Sequence, residues 1–80
     1  MPFVYIIYSV KLNKYYVGAC TDLVRRLHEH NTGHSKFTST GCPWELKLKE
    51  PFQTLQEAKT RERAIKKMKS RKYIEKLISS

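Results

Sequence analysis

The run Phe3-Val4-Tyr5-Ile6-Ile7-Tyr8-Ser9-Val10 crowds β-branched and aromatic side chains onto consecutive positions, and that density predicts a β-strand. A polar turn from Lys11 to Lys14, holding Asn13, follows it. Tyr15-Tyr16-Val17-Gly18 then reads as a second strand, so the chain opens on a β-hairpin. Alternation puts Phe3, Tyr5, Ile7 and Ser9 on one face and Val4, Ile6, Tyr8 and Val10 on the other. Any hairpin loop of even length places Tyr5 and Tyr16 on the same face. Gly18, two residues beyond Tyr16, shares that face and leaves room for a ligand or a backbone to approach.

Beyond the hairpin, Thr21 or Asp22 can cap a helix running to about Asn31, stopped by Thr32-Gly33. Residues 32 to 43 carry loop chemistry (Gly33, Ser35, Thr38, Ser39, Thr40, Gly41, Pro43), and so long a loop in a small domain suggests function. Trp44, Leu46 and Leu48 alternate as a third strand, closed by Pro51. Thr54-Leu55-Gln56-Glu57 is a capping box that opens a helix to about Lys69. Ser70 breaks it into a last short helix with Ile74, Leu77 and Ile78 along one edge. The order β-β-α-β-α-α predicts one α+β domain over residues 1–80, a small antiparallel sheet covered by helices.

Charge bounds the partners. Sixteen Lys and Arg against seven Asp and Glu leave a net +9, which suits a polyanion through counterion release. Nucleic acid is the expected partner; ribosomal and architectural proteins satisfy the same criterion. No apolar run is long enough to span a membrane, and no signal-peptide pattern opens the chain. Cys20 and Cys42 therefore read as reduced thiols of a cytoplasmic protein. No cluster of Cys and His gathers the four ligands of a zinc site.

The helices carry ionisable groups where apolar ones belong. Leu23 and Leu27 define the inward stripe of the first helix, and Arg26 and His30 fall on that stripe at helical spacing. In the next helix Leu55, Ala58 and Ile65 set the buried side, with Glu62 between them. Buried unpaired charge costs several kcal/mol, so these three groups require partners or a cleft. An internal Arg26–Glu62 ion pair with His30 at the rim satisfies that demand. So does a functional site formed by all three under one sheet.

Taken together, these residues resemble the GIY-YIG nuclease superfamily. Val4-Tyr5-Ile6 and Tyr16-Val17-Gly18 are similar to its paired GIY and YIG motifs, and Asp22-Leu23-Val24-Arg25-Arg26-Leu27 with His30-Asn31 to its Arg-His helix. Glu62, in Ala58-Lys59-Thr60-Arg61-Glu62-Arg63, stands where the family carries its metal-binding glutamate. Pro43-Trp44-Glu45 recurs in the junction-resolving branch and in small stand-alone bacterial members. The resemblance spans essentially the whole chain and implies a three-stranded antiparallel sheet flanked by helices.

It also implies an endonuclease of the DNA repair or recombination type, acting on DNA or RNA with Mg2+ or Mn2+. Glu62 would hold the cation, Tyr5 would act as general base towards water, and Tyr16 would position water or phosphate. Arg26 would stabilise the pentacovalent phosphate, and His30 would bind phosphate or assist Tyr5. Gly18, His34, Lys36, Lys67 and Arg71 are the expected nucleic-acid contacts, His34 standing in for a second histidine found in some members. Two departures stand out. Phe3 precedes Val4-Tyr5 where many members have Gly-Ile-Tyr, and Arg71 to Ser80 lacks the asparagine that many carry near the end.

With the chain almost entirely a catalytic module, sequence specificity is expected to be low or supplied by a protein partner. The rival from another class is a nucleic-acid-binding module of the same fold with little or no chemistry.

Overall fold

The structure, a computed structural model, describes residues 1–33 and 38–80, so the expected contacts His34 and Lys36 lie outside the described residues. β1 (Phe3–Ser9) and β2 (Lys14–Cys20) form the hairpin, and α1 (Leu23–Thr32) follows. A 3-10 turn (Ser39–Gly41) leads into β3 (Trp44–Pro51), α2 (Leu55–Lys67) and α3 (Arg71–Ser79). The sheet has the order β2-β1-β3 and is antiparallel throughout. No helix among the described residues is long and apolar enough to cross a membrane.

Local chemistry sets the element boundaries. Asp22 caps α1 by accepting from the Arg25 N–H, and Gly33 closes it in the left-handed conformation at φ 80°. Thr54 and Glu57 cap α2 reciprocally, while Ser70 caps α3 by accepting from Tyr73. The hairpin turn needs a left-handed residue and has one in Asn13 at φ 52°. The Arg71 guanidinium donates to the Asn13 carbonyl at 2.9 Å and to its side-chain oxygen at 2.8 Å, tying the turn to α3.

In the hairpin register Tyr5 faces Gly18 and Ile7 faces Tyr16, so Tyr5, Tyr16 and Gly18 share one face as expected. The sheet is covered on both faces. Val4, Ile6 and Val17 pack with Ala58 and Ile65 of α2, and with Tyr73, Ile74, Leu77 and Ile78 of α3. Tyr5, Ile7, Cys20 and Trp44 pack with Leu23 and Leu27 of α1 on the opposite face. This corrects the expectation that α1 and α2 present their polar residues under one face. The period-2 pattern of β1 is apolar on both sides, and each side takes its own helix layer.

β3 departs from simple alternation too. Ile6 pairs with Leu48 but Ile7 with Leu46, a bulge at Lys47. The extra residue sends Trp44 to the α1 face and Leu48 to the α2 face, although their spacing predicted a common side.

Candidate active site

The side chains of interest gather where α1 crosses the Tyr5 face. Tyr5 is 1 % exposed and His30 is fully buried, not at the rim. The Tyr5 hydroxyl lies 2.8 Å from His30 Nε2, and His30 Nδ1 lies 2.7 Å from Thr38 Oγ1. Thr38, itself fully buried, accepts from Trp44 Nε1 at 2.8 Å through its carbonyl. The Arg26 guanidinium stands close enough to the Tyr5 hydroxyl for its charge to oppose the effect of burial there, and it bonds Glu29 at 3.1 Å. Of the two alternatives, the Arg26–Glu62 ion pair does not form: Arg26 pairs with Glu29, one turn along the same helix.

These contacts fix the protons. Burial, against the opposing effect of Arg26, pushes the Tyr5 phenol up to about 12, so it is protonated at neutral pH. Arg26 has donors only, so the Tyr5 proton can be accepted only by His30 Nε2. His30 then carries its own proton on Nδ1 and donates it to Thr38. Burial, reinforced by the Arg26 charge, holds the imidazole below its ordinary range, consistent with a neutral ring.

A stability consequence follows with a definite sign. The folded His30 pKa lies below the unfolded value, so the unfolded chain binds the extra proton first. The His30 contribution should be intact above about pH 6.5 and decline as pH falls towards the folded pKa. Denaturant midpoints measured from pH 8 to pH 5 should therefore drop, and His30→Gln should flatten that slope.

Gly18 has a specific reason to be glycine. A Cβ built there would sit 2.4 Å from the Tyr5 hydroxyl and 2.5 Å from Tyr5 Cζ. Tyr5 is buried and its hydroxyl is bonded to His30, so its ring has nowhere to retreat. Gly18→Ala should cost about 1–3 kcal/mol through overpacking, read as a fall of several degrees in thermal melting.

Tyr16 stands beside this pair, with ring centroids 6.4 Å from Tyr5, 5.2 Å from His30 and 6.3 Å from Trp44. Glu62 comes from the far side of the sheet. Its side chain is 21 % exposed and bonded to Lys66 at 2.6 Å. The Lys66 ammonium in turn lies 5.6 Å over the Tyr16 ring. Glu62 is thus linked to Tyr16 of the edge strand β2 through Lys66.

Among the described residues no three His, Cys, Asp or Glu gather as a metal cluster. Glu62 supplies a single hard oxygen donor. That fits magnesium or manganese, which commonly take one or two carboxylates and complete their shell with water and substrate phosphate.

Two sets of contacts escaped the sequence reading. Thr38 looked like loop chemistry, and only the structure shows its hydroxyl buried against His30. Asn31 pairs reciprocally with the Trp44 backbone, its oxygen accepting from Trp44 N–H and its amide donating to the carbonyl at 3.3 Å. The Cys42 thiol donates to the His30 carbonyl at 2.9 Å, so the C-terminal end of α1 is fastened to the segment entering β3. Cys20 and Cys42 are both free thiols.

The hairpin sets Tyr5 and Tyr16 against the face that α1 covers, and the chain belongs to the GIY-YIG family. The family model of the GIY-YIG catalytic domain matches residues 1–74. Over 57 residues the chain is 46 % identical to a UPF0213 protein of Listeria monocytogenes, covering 70 % of this chain and 64 % of that protein. It is 38 % identical over 77 residues to UPF0213 protein YazA of Bacillus subtilis, covering 91 % and 77 %. The matched stretch is thus less than two thirds of the Listeria protein's length. The solution NMR structure of a UPF0213 protein from Bacillus halodurans superposes with a TM-score of 0.62 at 33 % identity. That superposition covers 99 % of this chain and 84 % of the other.

Proposed function

We propose that this protein is a metal-dependent endonuclease that hydrolyses phosphodiester bonds in DNA or RNA with low sequence specificity, in a repair or recombination setting. The observation that carries the reading is the buried Thr38–His30–Tyr5 hydrogen-bonded chain, with the Arg26 charge acting on the same phenol. A neutral imidazole accepting from a tyrosine gives that tyrosine somewhere to send its proton.

As water attacks phosphorus, its proton passes to the Tyr5 oxygen while the Tyr5 proton moves to His30 Nε2. The new P–O bond forms as the bond to the leaving oxygen breaks. Thr38 holds the His30 ring in the required tautomer. Arg26, with a side chain 38 % exposed, offers its free donors to the phosphate oxygens. Substrate phosphate beside Arg26 would offset the positive charge that holds His30 down, easing the transfer. Tyr16 orients water or phosphate at the mouth of the site. Glu62 would hold the divalent cation, which supplies charge neutralisation at the phosphate and leaving oxygen. Because His30 is fully buried and bonded at both nitrogens, assisting Tyr5 suits it better than binding phosphate.

Incubation with branched, single-stranded and duplex DNA and with RNA, in magnesium, manganese or chelator, tests the reading. Cleavage that disappears with chelator is expected. Tight binding with no metal-dependent cleavage of any substrate would instead make the protein a binding module.

A further inference from the structure

On the Lys66 side of the site a cavity of about 460 Å³ opens along the edge strand β2. Tyr15, Val17, Ile65 and Ile74 give it an apolar floor. Lys14, Lys66, Lys69 and Arg71 bring cations to it, of which Lys66 and Arg71 are paired with Glu62 and Glu75, and its described lining holds no carboxylate of its own. We propose that this cavity receives one unpaired nucleobase of the substrate strand, next to the phosphate at the active site.

Both halves of its chemistry are needed by that occupant. A bare phosphate has no use for an apolar floor, and an apolar peptide has no use for four cations. A base carrying its own phosphates uses both, through ring contact below and charge neutralisation around it. The cavity is also continuous with the site already described. Tyr16 lines it, and Lys66 joins it to Glu62 at 2.6 Å and to the Tyr16 ring at 5.6 Å. A base seated there places the adjoining phosphate within reach of the Glu62 and Tyr16 edge. A paired base must first be unstacked, a cost that a bulged, mismatched or branch-point base is spared. The inference rests on the nuclease reading and narrows it to strands with an unpaired nucleotide beside the cut.

The test is a binding experiment on the full chain in chelator, so that cleavage plays no part. Three DNA duplexes of equal length are compared: fully paired, with one bulged 2-aminopurine, and with an abasic residue at the bulge. The bulged base should bind about tenfold or more tighter than either control. Its fluorescence should change on binding. Tyr15→Leu, which keeps an apolar side chain, should shrink that preference several-fold without weakening the paired duplex. Lys72→Glu, a charge on α3 outside the cavity lining, should weaken all three alike. Equal affinity for the three duplexes, no measurable affinity for any, or unchanged fluorescence in the wild-type complex overturns the proposal. The nuclease reading is judged separately, by metal-dependent cleavage, and survives if only the preference is missing.

Discussion

Replacing Tyr5 by phenylalanine is expected to lower cleavage at least about a hundredfold, the range general-base groups contribute, while leaving a folded protein. The hydroxyl meets His30 Nε2 at 2.8 Å inside the core, so its removal strands a buried acceptor. That should cost about 1–3 kcal/mol of stability. A drop in melting temperature is thus expected whether or not Tyr5 takes part in catalysis, and the cleavage rate alone decides. Single-turnover rates for wild type and variant, each measured on protein shown to be folded by circular dichroism, settle it. Unchanged cleavage would remove Tyr5 from the chemistry and leave it as the anchor of His30.

An effect of comparable size is expected at Glu62. Glu62→Gln keeps the shape of the side chain and can still bond Lys66, so stability should change by no more than about 0.5 kcal/mol at this partly exposed position. Cleavage should be lost, while affinity for DNA in chelator stays the same or rises slightly as a negative charge disappears. Calorimetric titration with magnesium or manganese in the presence of a cleavage-resistant oligonucleotide should show binding to wild type and none to the variant. Wild-type cleavage by the variant would mean that the cation is held elsewhere.

Much of this arrangement could be read before any coordinates. The hairpin was legible because β-branched and aromatic residues alternate around a short polar turn. That turn also fixes which residues share a face with Tyr5. The helix ends were legible because Asp22, Gly33, Thr54, Glu57 and Ser70 act on the nearest backbone groups, within a few positions of sequence. Arg26 and His30 could be picked out as polar residues on an apolar stripe, and both do meet Tyr5.

What escaped was set by distance and by parity. Thr38 meets His30 from eight positions along the chain, and nothing in Ser-Thr-Gly chemistry marks one hydroxyl as buried. Helical periodicity says which way Glu62 faces on its own helix but not which side of the sheet that helix takes. With β1 apolar on both faces, either side was open to α2. The alternative of an Arg26–Glu62 ion pair falls for this reason, since the two helices lie on opposite faces.

The bulge in β3 has a bearing on how this protein can vary. Lys47 is exposed and packs into neither core, so its identity matters little to the fold. Its presence matters a great deal. Removing it would restore strict alternation and turn either Trp44 or Leu48 away from its own core. With Trp44 turned over, Thr38 would lose its indole partner and His30 the residue that holds Thr38 in place. Substitutions at position 47 are thus nearly silent, whereas a one-codon deletion there reaches the buried His30 imidazole through the reading of a strand.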